Sequence, residues 1–238
     1  MKIALIGYGK MGKAIEEVAV QNGHEIVLKI SGRNPADMTK ENLQKADAAI
    51  EFTGPESAAD NLKKCFDAGV PVVCGSTGWL DKWDEIKNIC LAKNGALIYA
   101  SNFSIGVNLF FELNKYLANL MRQYETYKVQ IEEIHHKQKK DTPSGTAITL
   151  AEQILEIIQT KKTWVNHLSD NNEELEIISK RIDPAAGTHK VKYTSDIDDI
   201  EIIHTAHNRM GFAAGAVKAA GFLQNKKGIF SMKDVLEL

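Results

Sequence analysis

The chain has 238 residues, of which 44% are hydrophobic and 25% are charged, and its formal net charge is −2. This composition is typical of a globular protein with one large domain or two modest ones, and the balance of charge excludes a general attraction to nucleic acid. The apolar run that begins the chain, Met1 to Ile6, is too short for a signal peptide or a membrane-spanning helix. We therefore expect a cytoplasmic protein with neither a nucleic-acid nor a membrane partner.

The three cysteines give no indication of a metal site. Cys65, Cys74 and Cys90 are far apart in the sequence, and none belongs to a C-x-x-C pair. An odd number of cysteines cannot pair completely, and no histidine stands at metal-ligand spacing from them. We interpret them as reduced residues of the core and expect no bound metal.

The first hundred residues alternate short apolar, β-branched runs with longer stretches compatible with helices. A parallel sheet that is covered on both faces has strands that are continuously apolar rather than alternating, and these runs have that character. The pattern therefore predicts βαβ winding. The predicted strands are Lys2–Ile6, Glu25–Ile30, Ala48–Thr53, Val70–Cys74 and Ala96–Ala100.

The periodicity changes at residue 105, where a second unit begins. Apolar residues recur at helical spacing over Ile105–Arg122, and Ser104 can cap this helix. Later strands follow one another instead of alternating with helices, which predicts an α+β domain over residues 104–210. Its other predicted elements are a strand at Tyr127–Ile134, a helix at Ser144–Gln159 and strands at Glu174–Arg181, Thr188–Thr194 and Asp198–Ala206.

The carboxyl-terminal tail returns to small and apolar residues. It contains an Ala- and Gly-rich helix at Gly211–Phe222, the run Gly228–Met232 and a last short helical turn. We expect residues 211–238 to fold back onto the first domain, residues 1–103.

A glycine-rich loop follows the first predicted strand directly. Its sequence, Gly7-Tyr8-Gly9-Lys10-Met11-Gly12, has the G-x-G-x-x-G spacing and precedes a helix at Ala14–Val20. Gly7 permits a tight turn, Gly9 lets the backbone approach a pyrophosphate, and Gly12 allows the helix to pack closely. The helix start offers unpaired N–H groups to the same negative charge. We predict a dinucleotide site on a Rossmann-like, doubly wound parallel sheet, with a glycine-rich turn without a ligand as the alternative.

The residues that follow the second strand bear on the choice of cofactor. An acidic residue normally stands there and holds the ribose hydroxyls, but this chain has Leu28-Lys29-Ile30-Ser31-Gly32-Arg33. A basic pair suits a 2′-phosphate, so the sequence favours NADPH over NADH, with Lys29 or Arg33 as the phosphate partner. Solvated surface charges are the alternative interpretation of these two residues.

Two further loops leave the carboxyl ends of predicted strands, where ligands of open α/β sheets bind. Phe52-Thr53-Gly54-Pro55 follows the third strand, and Gly75-Ser76-Thr77-Gly78 follows the fourth. Small residues let a nicotinamide ring and its ribose lie against the backbone, and the hydroxyls can donate hydrogen bonds to them. The predicted cofactor contacts in these loops are Phe52, Thr53, Gly75, Ser76 and Thr77.

The densest group of chemically active side chains lies between residues 132 and 147. His135 and His136 end a predicted strand, three lysines follow in a loop, and Ser144-Gly145-Thr146 opens a helix with free N–H groups. A hydride added to a conjugated C=N or C=C system sends negative charge to a neighbouring atom, and a His or Lys with a pKa near neutral can protonate it. The lysines and the helix start can bind the two carboxylates of a substrate.

Two alternatives to this interpretation are a basic surface loop with a solvated histidine pair and a metal site. The helix start beside the basic loop favours anion binding over the bare surface loop. Metal binding by His135 and His136 together is disfavoured, because adjacent strand residues point to opposite faces.

Five segments spread along essentially the whole chain carry a family resemblance. They are residues 7–12, 75–78, 100–108, 135–147 and 209–217, and the His-His-x-x-Lys-x-Asp-x-Pro-Ser-Gly-Thr run is the most specific of them. In this order they resemble the 4-hydroxy-tetrahydrodipicolinate reductase family. The resemblance implies a reductive dehydration, in which the hydroxylated heterocycle loses water and NADPH or NADH reduces the ring to tetrahydrodipicolinate for diaminopimelate and lysine synthesis.

The resemblance also implies roles for individual residues. His135 is the implied proton donor, and Lys139 is a substrate clamp and an alternative source of the proton. His136 is implied to help hold the substrate, and Gly145 with Thr146 to bind a substrate carboxylate at the helix start. The positions that match the family's nicotinamide-side contacts are Gly75, Thr77, Ala100 and Phe103, to which we add the intervening Ser101.

The family further implies a Rossmann domain formed by residues 1–103 and 211–238, and a substrate-binding domain, residues 104–210, whose sheet builds a homotetramer. Two segments depart from the family pattern: Lys29-Ile30 replaces the ribose-binding carboxylate, and residues 181–189 follow only part of the expected Arg, Gly and His spacing. An amino-acid dehydrogenase that shares the Rossmann half and a protein that senses NAD(P)H without turnover are the rival functions. The His-His-Lys run disfavours the first, and the abundance of proton donors disfavours the second.

Overall fold

The computed structural model describes residues 1–238, and the chain divides into two compact units. The first unit is Met1–Ile105 with Arg209–Leu238, and the second is Gly106–Asn208. None of the helices combines the length and the apolar character that crossing a membrane requires.

Up to residue 99 the elements are β1 (Lys2–Ile6), α1 (Lys10–Gln21), β2 (Glu25–Ile30), α2 (Lys40–Leu43), β3 (Ala48–Glu51), α3 (Pro55–Ala68), β4 (Val72–Cys74), α4 (Trp83–Ala92) and β5 (Ala96–Tyr99). They continue with α5 (Ile105–Met121), β6 (Lys128–His135), α6 (Gly145–Ile157), β7 (Thr163–Val165), β8 (Glu174–Arg181), β9 (Gly187–Thr194), β10 (Asp199–Ala206), α7 (Met210–Phe222), β11 (Gly228–Phe230) and α8 (Met232–Leu236).

Six parallel strands form the sheet of the first unit, in the order β11-β5-β4-β3-β1-β2. This arrangement confirms the predicted doubly wound parallel sheet. The chain reverses its direction across the sheet at β1, which lies between β2 and β3. Ligands of open α/β sheets bind at such a reversal, beyond the carboxyl ends of the strands. The loops after β1 and β3 are therefore the expected place for a ligand.

Helices cover both faces of this sheet, which explains its continuously apolar strands. Ile3 and Leu5 of β1 pack into the core beneath α1 and α7, whereas Ala4 and Ile6 pack into a second core beneath α3 and α4. Because both faces of β1 are buried from Ile3 to Ile6, all four of these residues are apolar. The edge strand β2 is partly exposed and carries charged residues among its apolar ones.

The second unit has a five-stranded mixed sheet in the order β10-β9-β6-β8-β7, which confirms the predicted α+β domain. β6, β7 and β8 run parallel, and β9 is antiparallel to both β6 and β10. Alternate residues of β6 point to the core formed with α5 and α6. These inward positions are Val129, Ile131, Glu133 and His135, so two polar side chains continue an apolar row.

The element bounds differ from the sequence prediction in a few places, for local reasons. β3 ends at Glu51 because the Thr53 N–H turns to the Ser76 hydroxyl and the Glu51 carboxylate instead of the ladder. β4 begins at Val72, since Pro71 has no N–H to contribute. β7 was not predicted; it has three residues at the sheet edge, which is too short for a recognisable period.

Candidate active site

The loop after β1 depends on glycine at two of its three motif positions. Gly7 has a φ of +100°, and a Cβ there would lie 2.1 Å from the carbonyl oxygen of Phe52. A Cβ on Gly12 would lie 2.5 Å from the carbonyl oxygen of Gly7. By contrast, nothing lies within 4 Å of a Cβ built on Gly9. The loop is therefore tightly packed at Gly7 and Gly12 and leaves open space at Gly9.

The start of α1 is suited to an anion. Its N-cap, Gly9, provides no side-chain hydrogen bond, and no acidic residue lies in the first turn. Lys10 and Met11 are the first two helical residues, and Lys10 is exposed. The first-turn N–H groups, the helix dipole and Lys10 all favour a pyrophosphate at this position. A dinucleotide fits these residues.

Lys29, a predicted phosphate partner, is paired with a carboxylate. Its Nζ lies 2.5 Å from Oε1 of Glu16 on α1 and 5.1 Å from the centre of the Tyr8 ring. The Tyr8 hydroxyl donates a hydrogen bond to the other oxygen of this carboxylate. Arg33 is exposed in the turn after β2, where its N–H donates to the Ser31 hydroxyl. No spacing rule points to Glu16, because it comes from a helix and not from the segment after β2.

The predicted nicotinamide-side loops line one cavity of about 320 Å³. A Cβ on Gly75 would lie 2.2 Å from the Phe52 ring, so this close approach requires glycine. The Thr53 N–H donates to the Ser76 hydroxyl, 2.8 Å away, and ties the two loops together. The structure thus brings the predicted contacts of both loops to one place. The lining residues are Met11, Phe52, Thr53, Gly54, Pro55, Gly75, Ser76 and Thr77.

A buried carboxylate supports these loops. Glu51, the last residue of β3, is fully buried. It accepts hydrogen bonds from the N–H of Thr53 at 3.0 Å, from the Thr53 hydroxyl, and from the thiol of Cys74 at 3.2 Å. Burial raises the pKa of the Cys74 thiol, so this cysteine is a neutral donor. All three cysteines are unpaired and buried.

Ala100, Ser101 and Phe103 follow β5 at the same edge of the sheet. The Ala100 N–H donates to the carbonyl of Cys74, 3.3 Å away. The Phe103 ring is buried, and its centre lies 5.8 Å from that of Phe52. Ser101 is exposed. Phe103 therefore packs against Phe52, which lines the cavity. Ala100 lies beside the end of β4, and the loop that follows β4 also lines the cavity.

A second buried carboxylate organises the polar cluster of the other unit. Glu133 points inward from β6 and is fully buried. It accepts hydrogen bonds from the Ser144 N–H at 3.1 Å, the Ser179 hydroxyl at 2.7 Å and the Arg181 guanidinium at 3.1 Å. Nδ1 of His135 lies 3.3 Å from Oε2, within ion-pair distance but without hydrogen-bond alignment. Glu133 thus joins the end of β6 to the start of α6 and the end of β8.

His135, the predicted proton donor, ends β6 and is only 7% exposed. Its ring meets that of His189 edge to face, with the centres 5.0 Å apart. Nε2 of His189 lies 3.1 Å from the Ser144 hydroxyl. A Cβ on Gly187 would lie 3.2 Å from Nε2 of His135, so a side chain there would crowd the ring. The imidazole of His135 therefore lies between the Glu133 carboxylate, the His189 ring and the backbone of Gly187.

The cluster shifts two ionisation equilibria. Burial alone would raise the pKa of Glu133, but its contacts with His135, Ser144 and Ser179 outweigh burial and hold this pKa well below its usual value. Burial, together with the neighbouring His135, lowers the pKa of His189 to about 3. At neutral pH the cluster therefore contains an ionised Glu133 and a neutral His189.

Acidification is expected to destabilise the fold through His189. Its pKa is about 3 when folded, against an ordinary 6.5, so between these values only the unfolded chain binds the proton. The stability contributed by the neutral ring is complete above the ordinary value. It is lost below that value as the pH falls, at up to about 1.4 kcal/mol per pH unit.

Urea unfolding at about pH 7 and about pH 5 measures this loss. Both values lie above the ordinary pKa of carboxylates, so the change between them reports mainly on histidines. His189→Gln should lose less free energy of unfolding between the two conditions than the wild type does. His167→Gln, which changes an exposed histidine of the same unit, is the control and should behave like the wild type. Equal losses in wild type and His189→Gln would contradict the expectation.

The loop after β6 carries two further predicted contacts, His136 and Lys139. His136 is half-buried, and its carbonyl accepts a hydrogen bond from the Lys139 N–H at 3.1 Å. The Lys139 ammonium lies 2.9 Å from the Asp141 carboxylate. The lysine lowers the pKa of Asp141 against the opposing effect of burial. Lys139 is thus held by an ionised partner close to the end of β6.

The start of α6 provides the last two predicted contacts, Gly145 and Thr146. Ser144 is the N-cap, and its hydroxyl accepts a hydrogen bond from the Ala147 N–H at 3.3 Å. The first turn contains no acidic residue, and nothing lies within 4 Å of a Cβ built on Gly145. The helix start is therefore accessible and favourable to a carboxylate.

Glu133, His135 and His189 are close enough to be considered as metal ligands, with their ligand atoms all within 4.8 Å of one another. The carboxylate of Glu133, however, already accepts hydrogen bonds from Ser179 and from the cationic Arg181. A positive guanidinium on the same carboxylate opposes a second cation there. We interpret the three residues as a cluster of acid and base groups that Ser144, Ser179 and Arg181 hold in place through hydrogen bonds.

Comparison with known proteins gives matches along the whole chain. Residues 1–103 match the family model for the amino-terminal part of dihydrodipicolinate reductase, and residues 106–236 match the model for its carboxyl-terminal part. A protein named 4-hydroxy-tetrahydrodipicolinate reductase from Christiangramia forsetii is 51% identical over 238 residues, which cover 99% of this chain and 98% of that one. The protein of the same name from Archaeoglobus fulgidus is 32% identical, with both chains covered completely.

Solved structures share the architecture. The dipicolinate-bound dihydrodipicolinate reductase from Paenisporosarcina sp. TG-14 superposes with a TM-score of 0.77 at 23% identity and covers 97% of both chains. An amine dehydrogenase from Mycobacterium smegmatis gives a TM-score of 0.60 at 10% identity, over 98% of this chain and 95% of that one. At these identities the structural matches establish the fold alone.

Proposed function

Because the chain belongs to the 4-hydroxy-tetrahydrodipicolinate reductase family, we propose that His135 supplies the proton for the reduction of 4-hydroxy-tetrahydrodipicolinate. The family makes the chain an NAD(P)H-dependent oxidoreductase that forms tetrahydrodipicolinate for diaminopimelate and lysine synthesis. The observation that carries the role of His135 is its buried contact with Glu133 beside the start of α6. This contact puts a proton donor next to an anion-binding helix start.

The proton donor is argued from the charge that the reaction displaces. When bound, NAD(P)H supplies a hydride to the substrate ring. The negative charge that reaches a neighbouring atom has to be neutralised by a proton. Oε2 of the buried Glu133 lies 3.3 Å from Nδ1 of His135, so the carboxylate positions this side of the imidazole ring. Nε2, the other ring nitrogen, then gives the proton to the substrate.

Two positions around His135 suit the two carboxylates of the substrate. One is the start of α6, where Gly145 and Thr146 begin a helix without acidic residues in its first turn. The other is the loop that holds His136 and Lys139. The Paenisporosarcina relative is described as dipicolinate-bound, and dipicolinate is a dicarboxylate of the same class as the proposed substrate.

Lys139→Ala is expected to raise the KM for the substrate at least about tenfold and to lower kcat, because one carboxylate loses its cation. Steady-state kinetics measures both quantities. Lys140→Ala, which removes an exposed lysine from the same loop, is the matched control and should stay within about twofold of the wild type. Unchanged kinetics in Lys139→Ala would place Lys139 outside the site.

The cofactor is assigned to the first unit and the substrate to the second. The pyrophosphate takes the start of α1, where Gly9 leaves open space and the first turn has no acidic residue. The nicotinamide end takes the cavity between the loops after β3 and β4. With the boundaries of the sequence prediction, residues 1–103 and 211–238 form the cofactor domain and residues 104–210 the substrate domain.

The deciding experiment follows the loss of NADPH or NADH absorbance, with substrate formed in place from pyruvate and aspartate semialdehyde by the preceding synthase. Oxidation that depends on the synthase is the expected result. No oxidation of either cofactor, by folded protein that still binds NADP⁺, would overturn the proposal and favour a sensor or an amino-acid dehydrogenase. Aspartate with NAD⁺ or NADP⁺, followed by the gain of reduced-cofactor absorbance, tests the dehydrogenase directly.

We further propose that the chain acts as a cytoplasmic homotetramer built through its second unit. The edge strand β10 of that unit exposes Ile200 and Ile203, and Ile197 precedes it almost fully exposed. Exposed apolar side chains on a sheet edge are suited to burial against other chains. Light scattering should give four times the chain mass of 26.4 kDa. A monomer mass would refute the tetramer, and Ile203→Lys should weaken it.

A further inference from the structure

The cluster of Tyr8, Glu16 and Lys29 occupies the place where the sequence lacks an acidic residue. In a Rossmann sheet, the residue that ends the second strand lies beside the adenosine ribose and accepts hydrogen bonds from its hydroxyls. Lys29 stands at the next-to-last position of β2. The N–H groups of Gly7 and Tyr8 donate to the Ile30 carbonyl at 2.9 and 2.8 Å, so the glycine loop is tied to this strand end.

The carboxylate of Glu16 reaches the same place from α1. Its Oε1 lies 2.5 Å from the ammonium of Lys29, and its other oxygen accepts the Tyr8 hydroxyl. The hydrogen bond from Lys29 lowers the pKa of Glu16, and the reciprocal contact raises the pKa of Lys29. Both partners are therefore charged at neutral pH. A carboxylate is thus present at the ribose end of the site, although β2 does not provide it.

The ion pair of Glu16 and Lys29 has opposite effects on the binding of NADH and of NADPH. A cofactor with a ribose 2′-hydroxyl can donate a hydrogen bond to a carboxylate. A 2′-phosphate is repelled by the same carboxylate and has to compete with it for the ammonium of Lys29. As long as Glu16 holds Lys29, the lysine contributes little to phosphate binding.

We propose that Glu16 is a specificity-determining residue, which takes the role of the missing acidic residue of β2 and lowers the preference of the chain for NADPH over NADH. The inference concerns dinucleotide binding only, and it stands whether or not the proposed substrate is correct. Lys29 then binds a 2′-phosphate effectively only when its ion pair with Glu16 is broken.

Calorimetric dissociation constants for NADP⁺ and NAD⁺ test the proposal without turnover. Glu16→Gln should tighten NADP⁺ binding by about tenfold and leave NAD⁺ binding unchanged or weaker, because the repulsion is removed and Lys29 is released. Glu17→Gln is the matched control: it makes the same change of charge at the next residue of α1, where an exposed carboxylate accepts from Gln21. It should leave the ratio of the two constants within about twofold of the wild type.

A second substitution separates the release of Lys29 from the loss of a negative charge. Lys29→Met should weaken NADP⁺ binding more in the Glu16→Gln background than in the wild type, because only there is the lysine free for the phosphate. Equal effects of Glu16→Gln on NADP⁺ and NAD⁺, or the same ratio in Glu16→Gln and Glu17→Gln, would overturn the proposal. Equal effects of Lys29→Met in both backgrounds would overturn the role of Lys29.

Discussion

His135→Gln is expected to lower kcat by about 10²- to 10⁴-fold, the range that removal of a general acid gives. Glutamine has a similar size and keeps hydrogen-bonding groups, but it has no ionisable proton to give. The affinity for NADP⁺ should stay within about twofold of the wild type, since the glycine loop belongs to the other unit and does not contain His135. Steady-state kinetics and calorimetry with NADP⁺ measure the two quantities.

The control for His135→Gln is His167→Gln, which changes an exposed histidine of the same unit and should leave kcat unchanged. Thermal unfolding of both variants shows whether a lower rate reflects a damaged fold. If the loss were confined to cofactor binding, His135 would not be the proton donor. If kcat were unchanged, Lys139 would become the candidate for proton delivery.

Much of the fold follows from local patterns in the sequence. The bounds of β1, β2 and β8 are the predicted ones, because β1 and β2 are largely apolar, β-branched runs and β8 begins with alternating acidic and apolar residues. β7 has no such pattern, since three residues at a sheet edge depend on their partner β8 for their conformation. Local patterns therefore predict long elements, and tertiary pairing decides the short ones.

The side chains that support the predicted site residues are harder to predict from the sequence than the site residues themselves. Glu133 is joined to Ser179 and Arg181, which lie 46 and 48 residues further along the chain, and no local spacing relates them. One signal was nevertheless present. Glu133 continues the apolar alternation of Val129 and Ile131, and a carboxylate at an inward position of a strand needs buried partners.

Glu16 carried no comparable signal. It lies on a helix among other charged residues, and its partner Lys29 is on a neighbouring strand. The sequence shows that an acidic residue is missing after β2, but only the packing of α1 beside β2 shows where a carboxylate is found instead. The prediction of NADPH preference from Lys29 and Arg33 therefore leaves out Glu16, the group that opposes it.

The substitution of Glu133 is expected to affect both stability and rate. Glu133→Gln removes the negative charge from a buried position next to Arg181 and His135, so the free energy of unfolding should fall by about 3 kcal/mol. Glu132→Gln is the matched control. Glu132 is the preceding residue on β6, on the opposite face, and pairs with Lys180 and Lys190, so its loss should cost less than about 1 kcal/mol.

The stability difference between wild type and Glu133→Gln should depend on pH. Because the folded pKa of Glu133 lies below its ordinary value, the contribution of its charge is complete above about pH 4.3 and is lost as the pH falls further. Urea unfolding at about pH 7 and about pH 3 measures the difference. A difference that did not shrink on acidification would mean that packing, and not charge, explains the loss.

Activity separates a positioning role of Glu133 from a merely structural one. If Glu133 positions the imidazole of His135, Glu133→Gln should lower kcat and leave the substrate KM nearly unchanged. A purely structural loss would reduce the amount of folded enzyme and leave kcat per folded molecule as it is in the wild type. Glu132→Gln should change neither kcat nor KM, because its carboxylate faces away from His135.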